Sequence, residues 1–96
     1  MSLKDYKIVR TCSSGVFSGY VESRNRDEVV MKNARRLWYW EGAASLSQLA
    51  MEGTKEPSEC KFPCEVDRIE LFGVIEILDV TKKAETSIKS VPIWSA

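Results

Sequence analysis

Residues 35–40 read Arg-Arg-Leu-Trp-Tyr-Trp, three consecutive aromatic side chains behind two cations. Successive side chains of a strand point to opposite faces, which puts Arg36, Trp38 and Trp40 on one face and Arg35, Leu37 and Tyr39 on the other. A helix would scatter the same rings around its axis. The aromatic enrichment and the Gly42 that follows favour the strand. A chain of 96 residues cannot cover both faces of such a strand without a second layer or a partner. One aromatic face is therefore expected to meet a ligand or another subunit.

The length allows a single domain, residues 1–96, that buries roughly 60–65 % of its unfolded surface, a thin margin. Hydrophobic residues at 44 % and charged residues at 29 % are globular values, not those of a disordered chain. The 14 basic and 14 acidic residues cancel, so general nucleic-acid binding is not expected. No apolar run approaches the roughly 18–20 residues that span a bilayer, and the first ten residues lack the apolar core of a signal peptide. A cytoplasmic protein without a membrane partner is the expectation.

The chain has no His and three cysteines, Cys12, Cys60 and Cys64. An odd thiol count fits a reducing compartment better than a disulfide framework. Three thiols without imidazole fall short of the four ligands of a structural zinc site, so neither metal nor cofactor is expected. A catalytic cysteine would also lack its usual base.

Along the chain, Tyr6, Ile8, Arg10 and Cys12 alternate with Lys7, Val9 and Thr11, which predicts a strand over 4–12. Ser13-Ser14-Gly15 is a turn, and Val16–Ser23 alternates again as the partner strand. Gly19 inside it marks a bulge or a close backbone approach. Glu28–Met31 begins a third strand that Asn33 interrupts. Ser45-x-x-Gln48 has capping-box form and opens a helix over 46–52, with Leu46, Leu49 and Ala50 inward and Gly53 as terminator. Residues 54–64 carry two prolines and read as a loop. Val66–Phe72 and Val74–Val80 are short strands hinged at Gly73. Thr81 caps a last helix striped by Ala84, Ile88 and Val91, with Glu85 and Lys89 paired at i,i+4 and Pro92 as its stop. Ile93-Trp94 follows as an apolar tag. The expected fold is α+β, a small antiparallel sheet of about four to six strands with two short helices.

Two constellations besides the aromatic run can carry chemistry. Ser13 and Ser14 can present hydroxyl and backbone N–H groups to a phosphate, or simply close a hairpin. Glu65 and Asp67 share a strand face, the arrangement a small hydrolase would need, or solubilise an exposed strand. No phosphate-cradling glycine loop or nucleophile elbow occurs.

The segment Asn33–Ala50, together with Gly15–Tyr20 and Lys61–Pro63, resembles a family of small bacteriophage and prophage proteins of about this length. The resemblance covers nearly the whole chain and brings no catalytic residues with it. It implies stoichiometric binding: capture of a nucleotide-derived immune signal, or blockade of a protein. The sequence expectation is therefore a non-enzymatic, phage-encoded protein that counters host defence from the bacterial cytoplasm. Its ligand site would be drawn from Arg35, Arg36, Trp38, Trp40, Ser13 and Ser14. Trp and Arg suit bases and phosphates, and equally suit protein interfaces. The alternative is a protein–protein inhibitor or assembly factor on the same face, with a host protein as partner. Either form is expected to be a homo-oligomer.

Overall fold

The computed structural model describes residues 5–96; Lys4, the expected start of the first strand, lies outside them. The fold is α+β. Strands β1 (Tyr6–Thr11), β2 (Val16–Asn25), β3 (Glu28–Arg36) and β4 (Glu65–Leu71) form an antiparallel meander, and β5 (Val74–Asp79) returns to pair with β1. The order across the sheet is β4-β3-β2-β1-β5. Helices α1 (Leu46–Glu52) and α2 (Lys82–Ser90) and a 3-10 turn (Pro57–Glu59) complete it. No helix among the described residues is long and apolar enough to cross a membrane.

The order of the strands dictates a curled sheet. β4 and β5 are its two edges, yet only Phe72 and Gly73 connect them. Three residues of extended chain reach at most about 11 Å. Five flat strands would hold their edges about 19 Å apart at ~4.8 Å per pairing. The sheet must therefore coil until its edges approach. Gly73 adopts φ 73 in the link, and the Val74 N–H bonds the Asp27 carbonyl in the β2–β3 turn at 2.9 Å, across the mouth of the coil.

Coiling gives the sheet two cores. Val9, Phe17, Val29, Met31, Ala34 and Leu71 fill its inner side, with Ile69, Val74 and Ile77 packed on them from both edges. Tyr6 and Ile8 face the other way and meet Leu49 and Ala50 of α1, Ile88 of α2, and Leu37, Cys60, Phe62 and Val91. The alternation in β1 thus marks two buried faces, not a buried and a wet one.

The β2–β3 register shifts twice, between Ser18 and Tyr20 and again between Val21 and Ser23, and the β1–β5 register shifts once, between Arg10 and Thr11. Asn33 does not end β3; it sits within the strand at φ 50 as the extra residue. Opposite it, a Cβ on Gly19 would lie 2.9 Å from the Ala34 Cα, so only glycine fits.

The helix signals hold with one shift. Ser45 Oγ accepts from the Gln48 N–H at 3.1 Å, but the Gln48 side chain reaches back to the N–H of Ala44, at 2.7 Å, instead of that of Ser45. Thr81 Oγ1 accepts from the Ala84 N–H at 3.0 Å, and Gly53 ends α1 at φ 79.

The expected strand over Arg35–Trp40 is corrected: β3 stops at Arg36. Its partner β2 begins at Val16, and after the Leu37 N–H has bonded the Val16 carbonyl at 2.8 Å there is no more β2 to pair with. The extended tail finds a new neighbour, bridging Tyr39 to Lys61.

Candidate functional site

That tail nucleates a small ribbon outside the sheet. Tyr39 and Lys61 exchange both backbone hydrogen bonds, at 3.3 and 2.7 Å. Phe62 in turn bridges to Ile93 in parallel, and the Trp94 N–H bonds the Phe62 carbonyl at 3.0 Å. Three segments remote in sequence thereby lie side by side.

At the meeting of ribbon and sheet is a concavity of about 440 Å³ lined by Ser14, Arg36, Trp38, Pro63 and Trp94. Its lining holds one cation, one hydroxyl and two indoles, and no carboxylate. Trp38 is 64 % exposed and Trp94 45 %, so neither ring is spent on a core. The Arg36 guanidinium carbon sits 4.6 Å from the centroid of the Phe17 ring, which it covers. Arg36 takes part in no ion pair among the described residues. A planar cation laid on a ring keeps its N–H edge for an anion.

Of the residues singled out from sequence, the concavity gathers Ser14, Arg36 and Trp38. Trp40 does not join them; half-buried, it packs against the helix-side core. The alternation expected to align Trp40 with Trp38 fails because the strand has ended. Arg35 is buried, and its guanidinium donates to the carbonyls of Pro63, Phe62, Ile88, Val91 and Pro92 at 2.7–3.1 Å. Burial lowers its pKa from the ordinary value, and neighbouring Tyr6 and Glu65 act against that. Ser13 lies in the turn, outside the lining. The Ser14 backbone N–H is taken by Thr11 Oγ1 at 2.8 Å, which leaves the turn its hydroxyls. Glu65 and Asp67 are exposed on the edge strand β4.

Sequence reasoning did not place Pro63 and Trp94 in the site. Trp94 is the signal that was visible, as part of an apolar tag. Its partner is set by a parallel bridge that no local pattern encodes. Lys61 extends the same surface, with its ammonium 5.6 Å from the Tyr39 ring and 5.7 Å from the Trp94 ring.

A second polar cluster ties α2 to the sheet. Lys89 Nζ donates to Glu85 at 2.7 Å and to the Tyr20 hydroxyl at 2.5 Å, and lies about 5 Å from the rings of Tyr6 and Tyr20. The hydrogen bond from Lys89 holds Glu85 below the usual carboxylate range. Burial disfavours the charge on Lys89, but its bonds to Glu85 and Tyr20 outweigh that and its pKa is raised. Burial pushes the Tyr6 phenol up.

A family described as Domain of unknown function (DUF6948) matches residues 4–88. The chain belongs to that family. The DUF6948 match takes in Ser14, Arg36, Trp38 and Pro63, while Trp94 lies beyond its last residue. No curated protein and no solved structure matches the chain.

Proposed function

We propose that this DUF6948 chain is a non-enzymatic binding protein that captures a nucleotide-derived ligand in the Arg36–Trp38–Trp94 concavity. In the fuller form of the proposal it is phage-encoded and acts as a homo-oligomer in the bacterial cytoplasm. There it would sequester an immune signal of the host. The observation that carries this reading is the meeting of one unpaired guanidinium with two exposed indoles in a lining without carboxylates. An indole stacked on a base contributes about 1–3 kcal/mol, and a guanidinium fork suits a phosphate.

A specific observation favours a second reading, a protein inhibitor or assembly factor. Tyr39 at 43 % and Ile93 at 64 % exposure continue the apolar surface beyond the concavity. Protein interfaces are enriched in such aromatic and Arg clusters. A thermal-shift screen with cyclic di- and trinucleotides and cyclic ADP-ribose variants separates the readings. A rise in melting temperature with the ligand recovered intact supports capture. Turnover of the ligand moves weight to Glu65 and Asp67 as a hydrolytic pair. No response to any nucleotide rejects the proposal in favour of a protein partner.

A further inference from the structure

We propose that the outer edge of β5, with Arg24 and Arg26 beside it, docks an extended acidic segment of another polypeptide by strand addition. The site is distinct from the aromatic concavity and does not depend on the reading given to it.

The two edges of the sheet are treated differently by the sequence. β4 is blunted: four of its seven residues, Glu65, Asp67, Arg68 and Glu70, are charged. Charged side chains are how natural edges avoid pairing. β5 is less charged. Val74, Ile75, Ile77 and Leu78 are apolar, and its two acids pair with β1, Glu76 with Arg10 at 2.7 Å and Asp79 with Lys7 at 2.5 Å. Past the Val74 N–H, which bonds Asp27, no strand pairs with the outer edge of β5 among the described residues. Ile75 on that strand is 55 % exposed.

The tip of the β2–β3 hairpin, Arg24-Asn25-Arg26-Asp27-Glu28, brings two cations to this edge. A groove of about 220 Å³ is lined by Arg24, Arg26, Val74, Ile75, Ile77 and one carboxylate, Glu76, which Arg10 pairs from β1. Neither arginine forms an ion pair among the described residues. Arg26 also holds φ 59, a conformation that Gly or Asn adopts at less cost. Two unpaired cations along an open apolar strand edge complement an extended chain that carries carboxylates. Main-chain bonds would give affinity and the arginines would give sign.

The test uses a fluorescein-labelled eight-residue peptide alternating valine and glutamate, followed by anisotropy. The proposal expects saturable binding, and at least tenfold weaker binding by the Arg24→Glu/Arg26→Glu protein. It expects no binding of the peptide with lysine for glutamate, or of the acidic peptide N-methylated along its backbone. Arg26→Gly should weaken binding while the melting temperature holds or rises, which a folding defect cannot mimic. Absence of saturable binding by the acidic peptide overturns the proposal. So does equal binding of the N-methylated peptide, which reports charge alone. Self-association of the chain that the double variant abolishes and the peptide does not compete with assigns the edge to a second copy, and also overturns it.

Discussion

Arg35 and Arg36 are neighbours in sequence and opposites in structure. Arg35 is 5 % exposed, and its guanidinium closes on five backbone carbonyls, those of Phe62 and Pro63 and those of Ile88, Val91 and Pro92 at and just past the end of α2. The Arg36 guanidinium lies on the Phe17 ring and borders the aromatic concavity. Strand parity sends one inward as a clasp and the other outward. The clasp also matters to the concavity, because it fixes Pro63 and the chain leading to Trp94.

Arg35→Ala should destabilise the fold by on the order of 3 kcal/mol, since each buried carbonyl left without a donor costs about 1–3 kcal/mol and relaxation recovers part. Arg35→Lys should recover only a fraction, because an ammonium cannot span the fork. Urea unfolding of the three proteins checks this. Equal midpoints would show that the carbonyls find other donors.

Trp38 and Trp40 should behave differently when cut to Ala. Trp40 packs against a core, so Trp40→Ala should cost about 3 kcal/mol. Trp38 is largely exposed, so Trp38→Ala should stay within about 0.5 kcal/mol of the parent. Calorimetric melting of both variants decides it, and a large loss in Trp38→Ala would place that ring in the core.

Local chemistry made most of the elements legible. Ser45, Gly53 and Thr81 mark the helix ends by capping, and the stripe of Ala84, Ile88 and Val91 marks the buried face of α2. The hinge at Gly73 was visible as well, but the fact that it joins opposite edges of the sheet was not. That depends on β5 pairing with β1, a long-range choice. The site was half legible. Arg36, Trp38 and Ser14 are brought together, whereas Trp40 was misplaced because the end of a strand is set by its partner's length. Trp94 required the parallel bridge to Phe62.

Gly19→Ala should destabilise by about 1–3 kcal/mol, because its Cβ would meet backbone, the Ala34 Cα at 2.9 Å and the Asn33 carbonyl at 3.0 Å. Backbone on the facing strand cannot rotate away as a side chain could. Thermal unfolding at neutral pH measures the loss. An unchanged melting temperature would mean that the bulge at Asn33 opens freely.

Stability should form a plateau at neutral pH with a fall on each side. Glu85 is held low by its bond from Lys89, so the folded state keeps its charge where the unfolded chain would protonate. That contribution is present above about pH 4.5, the ordinary Glu85 value, and is lost as pH falls through the lower folded value. Lys89 is raised, so its contribution is present below the ordinary value of about 10.5 and is lost as pH climbs through the higher folded one. Tyr6, raised by burial, adds to the loss above about pH 10. Glu85→Gln should flatten the acid limb. Denaturant midpoints from pH 3 to pH 11 (about those limits) test the pattern, and an acid limb unchanged in Glu85→Gln would remove this pair from the account.

Calorimetric titration of the nucleotide identified by the thermal-shift screen tests the aromatic concavity most directly. It is run on the parent and on Arg36→Ala, Trp38→Ala and Trp94→Ala. One site per chain is expected. Each variant should stay folded and lose about 1–3 kcal/mol of binding, and Arg36→Ala should also show a shallower salt dependence. If all three folded variants bind the nucleotide as tightly as the parent, the concavity is not the ligand site.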